Sequence, residues 1–293
     1  VFPVLCLCAL MTGGATGAAS IALQRHVGRA ATGGTQLKQV FSWLAIGPAV
    51  SNFLGPFSAG LMIDHAGFRA AFLLMALLPL VTWFWVRGVH ELPPVIRTEA
   101  DGHSRAIDLV REPVFRRLLL VNWLLSSCWD VHTFVVPVLG HERGMSASVI
   151  GSILGAFAIA AAAIRFVLPW VADRLQEWAM LTGAMLASAM LFALYPFLQG
   201  PWAMGACSVA LGLVLGSVQP MVMSTLHQVT PPARHGEALG LRLMVINASS
   251  VAMPMLFGVA GAVVGVSGLF WLVGGVVGLG ARNALLLRES KTP

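Results

Sequence analysis

Residues 51–72 read SNFLGPFSAGLMIDHAGFRAAF, and 198 positions later residues 249–270 read SSVAMPMLFGVAGAVVGVSGLF. Ser51, Pro56, Gly60, Gly67 and Phe72 recur as Ser249, Pro254, Gly258, Gly265 and Phe270. Each copy is a long apolar segment broken by Pro and Gly, then a tight turn, then a second apolar segment. Duplicated halves of polytopic helical membrane proteins have this appearance in sequence.

Composition points the same way. Hydrophobic residues make up 57% of the 293 and charged residues only 10%, against roughly 25% charged in a soluble domain. The apolar runs reach the ~20 residues that carry a helix across ~30 Å of hydrocarbon, and they lack the strict alternation of barrel strands. The expectation is an all-α integral membrane protein, a polytopic helical bundle of two pseudo-symmetric halves with the first half incomplete. About nine spans are expected, at residues 1–23, 41–63, 69–87, 117–139, 148–171, 178–198, 202–226, 239–262 and 265–286.

Basic residues give the expected topology, because Lys and Arg collect in cytoplasmic loops. With these spans, 16 of the 18 basic residues fall on one side and only Arg69 and Arg143 on the other. The C-terminus is therefore expected in the cytoplasm, and a bacterial inner membrane is the expected location. Nine crossings then put residue 1 on the outer face. The chain starts at Val1, already apolar, and reads as truncated, with three spans missing upstream. Residues 88–115 are the one long polar connection, with Glu91, Glu99, Asp101, Asp108 and Glu112 beside arginines. They read as a cytoplasmic linker between residues 1–87, three helices of the first half, and residues 116–293, six helices of the second.

These residues resemble the major facilitator superfamily of secondary transporters over the whole chain. Gly55, Pro56, Ala59 and Gly60 are similar to the fifth-helix antiporter motif of that superfamily, and Asp64, Gly67, Phe68, Arg69 and Phe72 to the turn after it. The stretch LPWVADRL resembles the second-half copy of the cytoplasmic gating motif, with Asp173 and Arg174 at the matching positions and Pro169 where a Gly usually leads. TPPARHGEALGLR is similar to the loop between the tenth and eleventh helices. The resemblance implies a bundle that rocks around a central site. Small residues let its helices approach closely, and prolines bend them. Exporting families often place an Arg in the fourth helix. VFPVLCLCALMTGGATGAASIAL holds none, which speaks against proton coupling through such an arginine.

Ionisable groups inside spans single out candidates, since a charge at the bilayer centre costs several kcal/mol unless it faces protein or water. Asp130 leads. Asn122, Ser126, Trp129, Asp130 and Thr133 recur at helical spacing and form one polar stripe. Asp130 suits a cationic substrate group or a proton; a structural hydrogen bond to a neighbouring helix is the alternative. His132 would add a group titrating near neutral pH, yet it lies about 200° around the helix from Asp130. Arg165 is expected to pack or gate, and the resemblance assigns gating to Asp173 and Arg174. Gln219 and Asn247 are polar positions on the tenth- and eleventh-helix equivalents, suited to a ligand or to interhelical bonds.

Several classes are disfavoured. Cys6, Cys8, Cys128 and Cys207 sit in apolar segments without CxxC spacing, so neither metal nor other cofactor is expected. Positive-inside topology accounts for the net charge of +6, leaving no case for nucleic acid. No Gly-rich phosphate loop, HExxH or GxSxG occurs, which argues against ATP drive and an intramembrane enzyme. The expected partners are a small-molecule substrate, a coupling ion such as a proton, and the lipid bilayer, around a monomer. Ion-coupled efflux is the leading expectation. An uptake permease and a non-transporting sensor or remnant are the alternatives.

Overall fold

The computed structural model describes residues 2–31, 33–89, 106–171 and 174–288, with the stretch 52–66 described by its backbone alone. Regular structure among the described residues is entirely helical. In chain order the helices are α1 (Phe2–Ala30), α2 (Gly34–Val86), α3 (Pro113–Glu142), α4 (Ala147–Val171), α5 (Glu177–Leu194), α6 (Pro201–Gly216), α7 (Val218–Val229) and α8 (His235–Leu285). α3 and α6 begin with proline at the first helical position, where the missing N–H is one the helix would leave unbonded anyway.

The two repeat copies have the same backbone break. α2 runs for 53 residues and α8 for 51, and each contains one non-helical residue, Gly67 at φ 77°, ψ 170° and Gly265 at φ 73°, ψ 169°. That region of conformational space is open essentially to glycine alone. At Gly265 the chain folds back. A Cβ on Gly261 would sit 3.1 Å from Leu269 Cδ1, whereas eight residues of unbroken helix would separate them by ~12 Å. α2 and α8 are thus two rods each, and α6 with α7 makes one. The described residues therefore hold nine rods, as expected. Six stretches are long and apolar enough to cross a bilayer, and the last, Pro232–Leu285, contains two rods. This is a multi-pass membrane protein.

Helices extend past the expected spans. α1 reaches Ala30 rather than residue 23, and α2 starts at Gly34 rather than 41. Hydropathy marks the lipid crossing, while the polar turns beyond it remain hydrogen-bonded as helix. Of the expected linker, residues 90–105 lie outside the described residues. Its last part departs from a solvated connection, because Ala106–Arg111 forms a 3-10 turn that places Leu109 in the core, and α3 already begins at Pro113.

The six rods from α3 onward pack around one core that includes Leu125, Phe157, Met185, Phe192, Tyr195 and Phe270. The closest approach is between α4 and α6. A Cβ on Gly212 would lie 2.4 Å from Phe157 O, and one on Gly216 2.5 Å from Ala161 O. Only a hydrogen fits there, which is how small residues let membrane helices touch along their backbones. At one end of this group Arg143 Nη2 donates to Pro196 O at 2.6 Å, and Nη1 donates to Leu198 O. The guanidinium thereby ties the end of α3 to the turn that follows α5.

Candidate functional site

The polar stripe of α3 opens into a cavity of about 400 Å³. Asn122, Ser126, Trp129 and Asp130 line it, while Thr133 turns away, its hydroxyl donating to Trp129 O at 3.0 Å. Facing the stripe are Ser20 and Gln24 from α1, Pro48 from α2, Arg165 from α4, Gln219 from α7, and Arg242 and Ser250 from α8. Rods from both sides of the 88–115 connection therefore converge on one polar space.

Arg165 is held by backbone. Its Nε donates to Gly216 O at 3.3 Å and its Nη1 to Ala45 O at 3.2 Å, so it bridges α6 and α2. The Gly216 carbonyl is available for a local reason. Pro220, four residues on, has no N–H to offer it, and the helix is interrupted at Ser217. The same interruption presents Gln219 to the cavity.

Arg242 is a cavity residue that sequence reasoning assigned to the basic side and missed as a site. It is 5% exposed, and its Nε donates to Asn122 Oδ1 at 3.2 Å. The signal was available: it falls three residues inside the span expected at 239–262, where a charge is costly. Asp130 Oδ2 is buried and meets no donor, and Asn122 Nδ2 and Gln24 Oε1 are likewise unmatched. Among the described residues no carboxylate lies within ion-pair distance of Arg165 or Arg242.

The remaining candidates sit elsewhere. His132 is fully buried on the far face of α3, bonded to Ser208 Oγ at 2.9 Å and stacked on Phe157 with ring centroids 4.0 Å apart. Ser208 also meets Tyr195 OH at 2.7 Å, so His132 belongs to a core network rather than to the cavity lining. Asn247 is exposed on α8 and does not line the cavity. Arg174 is exposed just after α4, and Asp173 lies outside the described residues. Gly55, Pro56 and Gly60 belong to the helical backbone of α2, in the stretch whose side chains are outside the described residues.

Outside the cavity lining, α1 and α2 meet the later helices through contacts that the sequence did not disclose. Lys38, near the start of α2, lies 3.6 Å from Glu177 at the start of α5, and its ammonium also donates to Leu175 O. Glu177 accepts from Ser224 at 3.0 Å and from Gln228 at 2.9 Å, both on α7. Gln39 Nε2 donates to Pro169 O at 3.2 Å, one of the carbonyls that the end of α4 leaves without an intrahelical partner. Phe41 packs on His227 with ring centroids 4.8 Å apart, and Gly28 of α1 lies against the same imidazole. α1 and α2 meet the later helices there through charge, backbone and aromatic contacts together.

The comparisons with known proteins agree with this architecture. The Major Facilitator Superfamily profile matches twice, over residues 1–209 and 118–293. Multidrug resistance protein MdtG of Salmonella arizonae and of Salmonella typhimurium are each 24% identical over 243 residues, which is 80% of this chain and 60% of theirs. The chain thus spans about 60% of the length of the curated relatives it matches. Among solved structures, the human organic anion transporter MFSD10 (TETRAN) superposes with a TM-score of 0.70 at 17% identity, covering 89% of this chain and 66% of that one. A bacterial homologue of the iron transporter ferroportin in an outward-facing state gives 0.70 at 15%, covering 94% and 68%. FucP in its outward conformation gives 0.65 at 14%, covering 90% and 72%. With the profile matched across its full length, a duplicated helical break and a polar cavity between helix groups, the chain belongs to the Major Facilitator Superfamily.

Proposed function

We propose that this protein is a secondary transporter that moves a small molecule by alternating access, with ion-coupled efflux as its direction. The observation that carries the reading is the polar cavity where rods from both helix groups converge; in this reading the contacts of Lys38, Gln39 and Phe41 with the later helices close its one end. A site of that kind changes its exposure when the two groups rock, because the closing bonds can break without unfolding either group. Asp130 is the coupling carboxylate in this reading. Its buried, unmatched oxygen can take a proton or a cationic group and release it when water reaches the cavity.

The closed end carries the basic residues that the positive-inside rule assigns to the cytoplasm. The C-terminus then lies inside, and the described conformation is closed toward the cytoplasm. The Gly55 and Pro56 motif, together with the likeness to MdtG, a multidrug resistance protein, supports efflux. The bacterial inner membrane and a monomer complete the proposal.

The test is flux in proteoliposomes made from the full-length gene product, with a pH gradient imposed in either direction and a panel of amphiphilic compounds. Gradient-driven export that Asp130→Asn reduces at least tenfold supports the reading. Flux that runs only inward assigns uptake. Export that the mutation leaves unchanged makes Asp130 structural, and no flux for any compound overturns transport.

A further inference from the structure

The cavity contains two guanidinium groups that the coupling reading does not use. Arg165 and Arg242 are 8% and 5% exposed, and neither has a carboxylate within ion-pair distance among the described residues. Arg242 spends Nε on Asn122 Oδ1, and Arg165 spends Nε and Nη1 on two carbonyls. The other nitrogens of both groups are without a protein acceptor among the described residues. Asp130, the one carboxylate among the described residues that line the cavity, pairs with neither, and its Oδ2 is unmatched. A buried charge left uncompensated is among the most destabilising arrangements a protein can hold. Among the described residues, two positive charges and a single negative one line this cavity.

A diffusible anion resolves the imbalance. The planar fork of a guanidinium matches the oxygens of a carboxylate, phosphonate or sulfonate two at a time, which a lysine ammonium does not. Asn122 holds Arg242 in place through its Oδ1, and its own Nδ2 is left without an acceptor. Building on the transporter reading, we propose that the cavity binds a small organic oxoanion, its acidic group on Arg242 and Arg165, while Asp130 is left for the coupling proton or for a cationic group on the same molecule. The cavity of about 400 Å³ holds a molecule of one or two rings. The shared chemistry, an oxoanion, is present both in a free metabolite and in an anionic lipid headgroup.

The experiment uses the full-length protein in phosphatidylcholine nanodiscs and follows the intrinsic tryptophan fluorescence, to which Trp129 of the cavity contributes. The probes are matched in size: phenylphosphonate, benzoate and benzenesulfonate against benzylamine and benzyl alcohol. Saturable quenching by the anions but not by benzylamine or benzyl alcohol is expected. Arg242→Gln should weaken it tenfold or more, and Arg242→Lys should restore only part. Gly205→Ala, on α6 away from this cavity and with nothing within 4 Å of the added Cβ, should retain anion binding and serves as the folded control.

Repeating the titration with phosphatidylglycerol in the nanodisc separates the two sources. Competition by the lipid assigns the site to a headgroup, and no competition assigns it to a free oxoanion. Preferential binding of benzylamine, indifference to Arg242→Gln in a monodisperse protein, or no binding of any anion overturns the proposal. Flux decides the transporter reading separately. Anion binding without any flux sinks transport and leaves the site, whereas cation flux untouched by Arg242→Gln sinks the site and leaves transport.

Discussion

At Arg165, covalent geometry, charge and helix ends meet in one side chain. Pro220 withholds an N–H, Gly216 O is thereby open, and a guanidinium two helices away takes it while also reaching Ala45 O. Arg165→Met removes both bonds and leaves the Gly216 carbonyl unmet at a cost of about 1–3 kcal/mol. The measurable result is a lower unfolding temperature of the detergent-solubilised protein. Arg165→Lys should not rescue it, because a single ammonium lacks the spread of nitrogens to serve two carbonyls on different helices. A lysine variant as stable as wild type would mean that the charge alone matters there.

Single-residue legibility followed helical period. The polar stripe of α3 could be read because Asn122, Ser126, Trp129 and Asp130 share one face of one helix, and period 3.6 is written in the sequence. The same period put His132 on the opposite face, where the structure finds it against Ser208 and Phe157. Arg242 was missed because a charge near a span end has two readings, loop or buried. Only the packing of α3 against α8 chooses between them.

Among the elements, the two broken helices show how far a repeat can be trusted. Five matched residues predicted matched turns, and Gly67 and Gly265 do adopt the same backbone angles within a few degrees. Gly265→Ala should therefore cost about 1–3 kcal/mol, since a Cβ is strained at that φ whatever the space around it. The α4 and α6 contact makes a second prediction at this scale. Gly216→Val drives side-chain atoms into Ala161 O, 2.5 Å from where Cβ would stand. Sharply reduced yield of monodisperse protein is expected. Gly205→Ala on the same helix, with nothing within 4 Å, should behave as wild type. Equal yields for both variants would mean that α4 and α6 separate easily. Their close approach was illegible in sequence, because 31 glycines are spread over the chain and the residue type does not say which helix face is covered.

For the whole molecule, the decisive feature is the closed end. Lys38 and Glu177 are both nearly excluded from solvent. Lys38→Met removes the ammonium 3.6 Å from Glu177, which still accepts from Ser224 and Gln228. Loss of one member of a buried pair costs about 3 kcal/mol, and here the cost falls on the closed conformation. A cysteine placed at Ser126 should react faster, in the Lys38→Met background, with a membrane-impermeant thiol reagent added on the face that the proposed topology makes cytoplasmic. An unchanged labelling rate would show that other contacts hold this end shut. Nothing in sequence pairs these two residues. They lie on different helices far apart in the chain, each reading alone as an ordinary charge near a membrane surface.

Several of the donors that tie the helices together, those on Lys38, Gln39 and Arg165, reach main-chain oxygens of Leu175, Pro169, Ala45 and Gly216. Every residue type carries such an oxygen. Mutational drift at Ala45 or Leu175 therefore leaves these bonds in place, while drift at the three donors removes them. Specificity for this arrangement is stored in the donors, while Ala45 and Leu175 among the acceptors are free to vary.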